Sequence, residues 1–498
     1  MNNLRSSYEL ANERIILSQF AIQQEKKHEK EKKEEQSRIN SLPDFVVEWE
    51  NRQKEDWDDR TVVERTLSED IKDAPTKLLT SREIEKIQKE KNIMITSRKK
   101  SEEIDSDKIK LVEPERISYA DMPEVHWYGH FTSYSGFSRM NRAMAFGLSN
   151  KGAKVKLDIQ SCALEINEAT QRQLEILEAT EINPKSPKVY GATIPLSMMH
   201  YGRKILYTMM ETSETLHKDY VERLNLFDEI WVPTKHGASL FKNNGVTRPI
   251  MIMPLGVDIE RYNSNTSPYN FGNDLNQFVF LSVFKWGYRK GYDILLKAYM
   301  DEFSSDDNVS LVLSTRCETD PNPNRISEDL AYIRSGVDKQ DEKLPHIALY
   351  TKHFAEKDMP KIYAAANAYI SISRGEGFGL PYYEAASCGL PIIGSKCSGH
   401  GDLLDSENSY VVEPSSYAKA KVNGYMSRLA KHCRFYEDQM FPEFGDDEIL
   451  KTRQHMRYVY ENYSAAVKKA KILQKIVREN YSWDNAINKV LTRIKELN

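Results

Sequence analysis

Three glycine-bearing segments hold the residues whose types and spacing could do chemistry. In Ser373–Ala386 (SRGEGFGLPYYEAA), Gly375, Gly377 and Gly379 alternate ahead of a helix start at Leu380–Pro381. Alternating glycines let the backbone approach a ligand closely and adopt positive φ. Pro381 suits a first helical turn, where its missing N–H costs nothing. The free N–H groups and dipole of that turn favour an anion by up to ~2 kcal/mol. Glu376 lies in the loop and Glu384 about one turn into the helix, so both can border one pocket. A carboxylate beside a phosphate site is unhelpful unless it bonds hydroxyls, for which sugar and ribose are the natural targets. The plainer reading is a loop cap and a surface helix acid.

The second segment, Phe284–Ala298 (FKWGYRKGYDILLKA), places Lys285, Arg289 and Lys290 before Gly291 and an amphipathic helix. Cations beside helix N–H groups make a diphosphate clamp in place of a metal ion. A solvated basic turn is the alternative. The third, Trp127–Arg139 (WYGHFTSYSGFSR), brackets small hydroxyl residues between Gly129 and Gly136. It is similar to a phosphate-approach loop without GxGxxG, or to an ordinary strand-to-helix turn. His130 contacts substrate or caps that loop.

Each segment needs a strand to deliver it and a helix to receive it. From about residue 123, short β-branched runs alternate with helical patterns. Strands are predicted at Val125–Tyr128, Val155–Ile159, Ile205–Met210, Glu229–Val232 and Ile250–Met253, with helices including Phe137–Asn150 and Lys235–Asn243. Thr234 is placed as an N-cap for the latter and Gly245 lies just past its end. The Asn-, Ser-, Gly- and Pro-rich stretch Tyr262–Asn276 reads as an interdomain linker. A second series follows, with strands at Phe278–Phe284, Ser310–Ser314, Ile347–Tyr350, Ala368–Ser373 and Pro391–Gly394. Its helices begin near Tyr292, Asp358 and Leu380, and the tail from about Asp447 to Asn498 reads as helical throughout. Alternating βα units imply parallel sheets covered by helices, with ligands at the carboxyl ends of the strands.

The chain has 498 residues, 40% of them apolar, enough for more than one core. Its 70 basic and 74 acidic residues nearly cancel, which leaves no global footprint for nucleic acid. No run approaches the ~20 apolar residues of a membrane span, and the start lacks a secretion signal. The five cysteines are scattered and free of CxxC pairs, which argues against a zinc knuckle and fits a reducing, cytoplasmic setting. Asp58–Asp59 and Asp306–Asp307 lack DxD spacing and read as solvated surface, so no metal site is expected. Residues 1–122 differ in texture. Glu25–Glu35 holds five Lys and five Glu, with opposite charges three or four apart, as in a solvated helix. This region reads as a charged, mainly helical extension, or as an arm for oligomerisation or membrane docking.

The site-bearing segments resemble the GT-B glycosyltransferases of the large, mostly retaining family 4, the glycosyl transferases group 1. Glu376 and Glu384 have the spacing of its E-x7-E motif, and Lys290–Gly291 with the following DILLKA is similar to its KG-x3-LL-x-A signature. Pro254–Asp258 (PLGVD) resembles its domain-junction run, and Tyr481-Ser482-Trp483 its closing helix. The resemblance implies two Rossmann-like doubly wound α/β domains facing a cleft. An acceptor-side domain would span 123–268, a donor domain 269–465, and a helix over 466–498 would return to the first.

The resemblance further implies a nucleotide-diphosphate sugar, UDP- or GDP-linked, as donor, with no permanently bound cofactor and a glycan, lipid or protein hydroxyl as acceptor. Lys285, Lys290 and Arg289 would meet the diphosphate and Glu384 the ribose. Glu376 and the amides of Gly377, Phe378, Gly379 and Leu380 would hold the donor sugar, with Gly136 facing the donor phosphate. Where members often carry a His near that sugar, this chain has ILYTMMETS, with Glu211 as the candidate for a related role. Two rivals are a phosphorylase or epimerase on the same fold and a catalytically silent GT-B partner of an active transferase. No pyridoxal-phosphate lysine context supports a phosphorylase.

Overall fold

The computed structural model describes residues 122–498 apart from 134, 161–165, 194–201, 273–274, 276, 318–323, 352–353 and 420–438. All but the last residue of the charged extension expected over 1–122 lies outside the described residues. Two six-stranded parallel sheets organise the rest. The first contains β1 (Glu124–His130), β2 (Lys154–Gln160), β3 (Lys188–Gly191), β4 (Lys204–Tyr207), β5 (Glu229–Val232) and β6 (Ile250–Ile252). Its spatial order is β2-β1-β3-β4-β5-β6. The second contains β7 (Phe278–Lys285), β8 (Val309–Arg316), β9 (His346–Tyr350), β10 (Ala368–Ser371), β11 (Ile392–Ser395) and β12 (Tyr410–Val412). Its order is β12-β11-β10-β7-β8-β9.

Parallel strands buried on both faces read as continuous apolar runs, and every strand expected from such runs is present. The sequence reading missed β3, whose four residues KVYG are buried but bounded by Lys and Gly. It also missed the three-residue edge strand β12. An antiparallel hairpin of β13 (Ser416–Lys419) and β14 (Met440–Glu443) was not foreseen either. The fourth strand of the first sheet is shorter than expected, ending at Tyr207 rather than Met210.

Helix α1 (Gly136–Asn150) starts where Ser135 accepts the Ser138 N–H at 3.1 Å. It is followed by α2 (Glu168–Glu178), α3 (Lys218–Leu224) and α4 (Lys235–Asn243). Thr234 caps α4 through the Gly237 N–H at 3.0 Å. The second sheet carries α5 (Tyr292–Glu302), α6 (Arg325–Ser335), α7 (Met359–Ala364), α8 (Leu380–Ser387) and the short α9 (Ser398–Gly401). The expected linker is pinned rather than loose: Ser387 Oγ donates to Tyr262 O at 2.5 Å and the Tyr269 N–H to Lys361 O at 2.9 Å.

The tail, expected to be helical from about Asp447, is three helices, α10 (Asp446–Glu461), α11 (Tyr463–Asn480) and α12 (Trp483–Leu497). The last break has a clear cause. Val257 N–H donates to Tyr481 O at 2.8 Å and Trp483 N–H to Val257 O at 3.3 Å, which requires extended backbone there. Ser482 then caps α12 through the Asn485 N–H at 3.1 Å. α12 lies on the first sheet's side of the molecule. Ile487 occupies the space a side chain on Gly147 would need, and Arg493 forks onto buried Glu229 at 2.9 and 2.7 Å. Among the described residues no helix is long and apolar enough to cross a membrane.

Candidate active site

In the second sheet the strand order reverses between β7 and β10. Ligands of doubly wound sheets bind outside the carboxyl ends of the strands at such a point. Both charged segments emerge there, the Lys285–Gly291 loop from β7 and the Ile372–Gly379 loop from β10. They are stitched together, with Arg374 N–H donating to Arg289 O at 2.7 Å. Gly291, at φ +66°, packs so close to Ile372 that a Cβ would lie 1.7 Å from the Ile372 carbonyl oxygen. Only glycine satisfies both demands. Buried Arg374 braces the pair of loops. Its guanidinium forks onto Asp293 at 2.7 Å twice, donates to Tyr288 O at 2.8 Å and lies 3.7 Å from the Tyr288 ring centre.

On that frame four of the expected residues converge. Lys290 Nζ donates to Glu376 Oε1 at 2.6 Å. Arg289 stands 3.4 Å from Glu376 Oε2 and 3.4 Å from Glu211 Oε1, and donates to Gly375 O. Ser373 Oγ adds a 3.1 Å bond to Glu376. Burial raises the Glu376 pKa, but Lys290 and Arg289 outweigh it and bring the carboxyl down to about 2. Burial and Arg289 lower the Lys290 pKa, against the pull of Glu376. The short contact is thus an ammonium–carboxylate pair in a partly dry setting, where charge counts for more than in water. Such a pair can offer a cation to a phosphoryl oxygen and an acceptor to a hydroxyl.

Glu384 belongs to a second cluster. It is 1% exposed, accepts the Tyr363 hydroxyl at 2.7 Å and accepts from Arg139, which comes from α1 of the first lobe. Arg139 also stands 3.4 Å from the Tyr262 hydroxyl. Burial alone would lower the Arg139 pKa, but Glu384 raises it and keeps the guanidinium charged. This ion pair joins the two lobes.

The remaining expected residues take different places. Gly379, at φ +85°, opens α8, with Leu380 and Pro381 in its first turn. Gly377 faces the Met209 side chain. Phe378 contributes only backbone to any ligand, because its ring is stacked on Tyr383 with centres 3.9 Å apart. Lys285 ends β7 with an exposed side chain. Gly136 is exposed at the start of α1, with open space where a Cβ would be. His130 closes β1, and its carbonyl accepts from Asn141 at 3.0 Å.

Sequence reasoning missed Arg139, Tyr363 and Ser398. A cation in the first turn of a helix opposes the helix dipole, and that signal could have singled out Arg139. Tyr363, in MPKIYA, cannot be told from a core tyrosine by pattern. Nothing marks Ser398 before its backbone is seen.

Comparison with known proteins matches residues 276–427 to the family model described as glycosyl transferases group 1. A probable sucrose-phosphate synthase of Craterostigma plantagineum is 29% identical over 155 residues, 26% of this chain and 14% of that protein. The chain thus spans only a small part of the curated relatives it matches. The structure of sucrose-phosphate synthase from Thermosynechococcus elongatus superposes with TM-score 0.53 at 14% identity, covering 76% of this chain and 99% of that one. Anabaena HepE in complex with UDP-glucose superposes with TM-score 0.51 at 13% identity, covering 76% and 100%. Residues 276–427, which carry Lys290, Glu376 and Glu384, thus match the group 1 glycosyltransferase model, and the two sheets with their reversal points share the GT-B fold of these structures.

Proposed function

We propose that this protein transfers a sugar, with retention, from a UDP- or GDP-linked donor to an acceptor hydroxyl. The observation that carries the reading is the Lys290–Glu376 pair at the reversal point of the second sheet, beside the first turn of α8, which no side chain caps. Lys290, Arg289 and Lys285 meet the diphosphate. Glu376 and the amides of Gly377 to Leu380 hold the sugar, and Glu384 with Tyr363 meets the ribose. The donor is held by residues 269–465, and residues 123–268, with Gly136 and Glu211, form the acceptor side of the cleft. The UDP-glucose bound by HepE supports a nucleotide-sugar donor for a chain of the same fold.

In the reaction the bond between the anomeric carbon and the diphosphate oxygen breaks as the acceptor oxygen bonds to that carbon on the same face. The acceptor proton passes to the departing phosphate oxygen, giving a glycoside and a nucleoside diphosphate. Negative charge grows on the leaving group, and Lys290, Arg289 and the α8 amides stabilise it, the largest contribution expected in such chemistry. The test is calorimetric titration with UDP and GDP, followed by a nucleotide-sugar panel scored for released nucleoside diphosphate. Saturable binding of one nucleotide and turnover of its sugar are expected. Binding of neither would overturn the reading in favour of a silent partner domain.

A further inference from the structure

A cavity of about 330 Å³ lies behind the Glu376 loop, walled by both lobes and by the hairpin. We propose that this cavity, between Glu214 and His236 of the first lobe and Lys396, Asp402 and Tyr417 of the second, is the subsite for a neutral carbohydrate acceptor; this rests on the transferase reading above.

Contiguity with the chemistry is the first argument. Ser398 lines the cavity and also holds Glu376, accepting its N–H at 2.8 Å and donating to its carbonyl at 3.2 Å. Ser398 is the only non-glycine residue at positive φ among the described residues, at 47°. Such backbone conformations cost about 1–3 kcal/mol and persist where the surroundings impose them. Here the strained turn brings one hydroxyl onto both polar groups of the Glu376 peptide. The first-lobe wall is also near, since Ser213 and Glu214 lie two and three residues after Glu211, which faces Arg289.

The lining then selects the ligand. Glu214 and Asp402 outnumber Lys396 in the lining, so the cavity has no surplus of positive charge for a phosphorylated acceptor. His236 Nε2 donates to Thr212 O at 3.0 Å, which leaves Nδ1 to bond a ligand hydroxyl. Asp402 is already fixed by the His236 N–H at 2.9 Å, which ties the second-lobe loop to the start of α4. Tyr417, 37% exposed, supplies a ring face with a polar tip. The hairpin that carries it is anchored to the first lobe, with Ser213 N–H and Thr212 Oγ donating to Met440 O at 2.9 Å each. Donors, acceptors and one aromatic face in a small polar cavity suit a polyhydroxylated ring.

The experiment uses the full chain and the nucleotide sugar that titration selects. Acceptor probes are neutral 4-nitrophenyl glycosides, with glucose 6-phosphate as the anionic counterpart. Transfer to at least one neutral glycoside is expected, with Tyr417→Ala and Glu214→Gln each raising its KM about tenfold. Nucleotide affinity of both variants should stay within twofold of wild type, which also reports that they fold. Three outcomes overturn the assignment while leaving the donor reading intact: transfer only to glucose 6-phosphate, donor hydrolysis with no glycoside accepted, or wild-type KM in both variants. Failure of nucleotide binding in the wild type would instead defeat the transferase reading itself.

Discussion

The two sheets solve the same topological problem with opposite chemistry. In each, the strand order reverses once and opens a crevice at the carboxyl ends. In the first sheet that crevice, between β1 and β3, is filled by the chain itself. Buried Asn141 donates to His130 O at 3.0 Å and to Gly191 O at 2.8 Å, and accepts the Trp127 indole N–H at 2.9 Å. Gly129 and Gly191 make room for it; a Cβ on Gly191 would lie 1.8 Å from the Asn141 oxygen. In the second sheet the equivalent place holds Lys290, Arg289 and Glu376. A neutral amide with its polar groups paired builds structure. Adjacent charges in a partly dry crevice suit the charged donor proposed above.

The largest expected effect separates the two crevices by function. Lys290→Ala should lower sugar transfer by about 10²–10³-fold, the usual consequence of losing one preorganised charge stabiliser. Steady-state release of nucleoside diphosphate measures it, with thermal unfolding as the control for folding. Arg289 remains beside Glu376 in this variant, so the carboxylate is not left alone. Turnover within threefold of wild type would remove Lys290 from the chemistry and with it the functional half of the comparison.

Acid sensitivity comes next. His400, buried beneath the Glu376 loop, is bonded to Ser395 at 3.0 Å and stacked on Tyr382. Burial brings its pKa down to about 4 from 6.5. The folded ring stays uncharged down to about pH 4, while the unfolded chain takes up that proton from pH 6.5 downward. Stability is therefore intact above pH 6.5 and falls toward pH 4, by on the order of 3 kcal/mol for this group. Glu376, brought down from 4.5 to about 2, extends the loss from pH 4.5 toward pH 2. In the first sheet His126 is lowered to about 4 by burial and by Lys188 and Lys156. His400→Gln should then reduce the slope of unfolding free energy against pH between pH 6.5 and 4, while His126 and His455, both also lowered by burial, keep the remainder. An unchanged slope in urea titrations would show that the second crevice does not titrate as described.

Asn141→Ala attacks the other half. It strands a buried indole N–H and two strand-end carbonyls, and should cost about 2 kcal/mol of unfolding free energy. Nucleotide affinity should not change. A variant of wild-type stability in urea, or one with weakened nucleotide binding, would blur the division between the crevices.

How much of this was legible in the sequence follows the same division. The charged crevice was readable because its residues are local: Lys290–Gly291 and Glu376–Gly377 are each contiguous, and the glycines mark where backbone packs closely, Gly291 on Ile372 and Gly375 on Glu211. The strands that deliver them were readable as buried apolar runs. Asn141 was not readable, because its role exists only where β1, β3 and α1 meet, and a lone Asn in a helix carries no sign of what it bridges. β3 was hidden for a similar reason. Its four residues are buried by neighbours on both sides, so they need no amphipathic pattern of their own. The break before α12 was invisible because Val257, far away in the sequence, imposes it.

The smallest predicted effect tests where the two lobes meet. Glu384 is shared between Tyr363 of the second lobe and Arg139 of the first. A carboxylate has about four lone-pair sites, so the proposed ribose contact does not require Glu384 to give up either partner. Glu384→Ala should weaken nucleotide binding about tenfold by calorimetry, close to the ~1.4 kcal/mol that such a factor represents. Arg139→Ala distinguishes two ways of reaching that result. If Glu384 acts by bonding the ribose, loss of Arg139 leaves the carboxylate with Tyr363 and changes affinity by no more than about threefold. If Glu384 acts only by holding the lobes together, Arg139→Ala must match Glu384→Ala, and the double variant must add nothing to either. The second pattern would transfer Glu384 from the charged, ligand-facing half of the molecule to the self-satisfied half, beside Asn141.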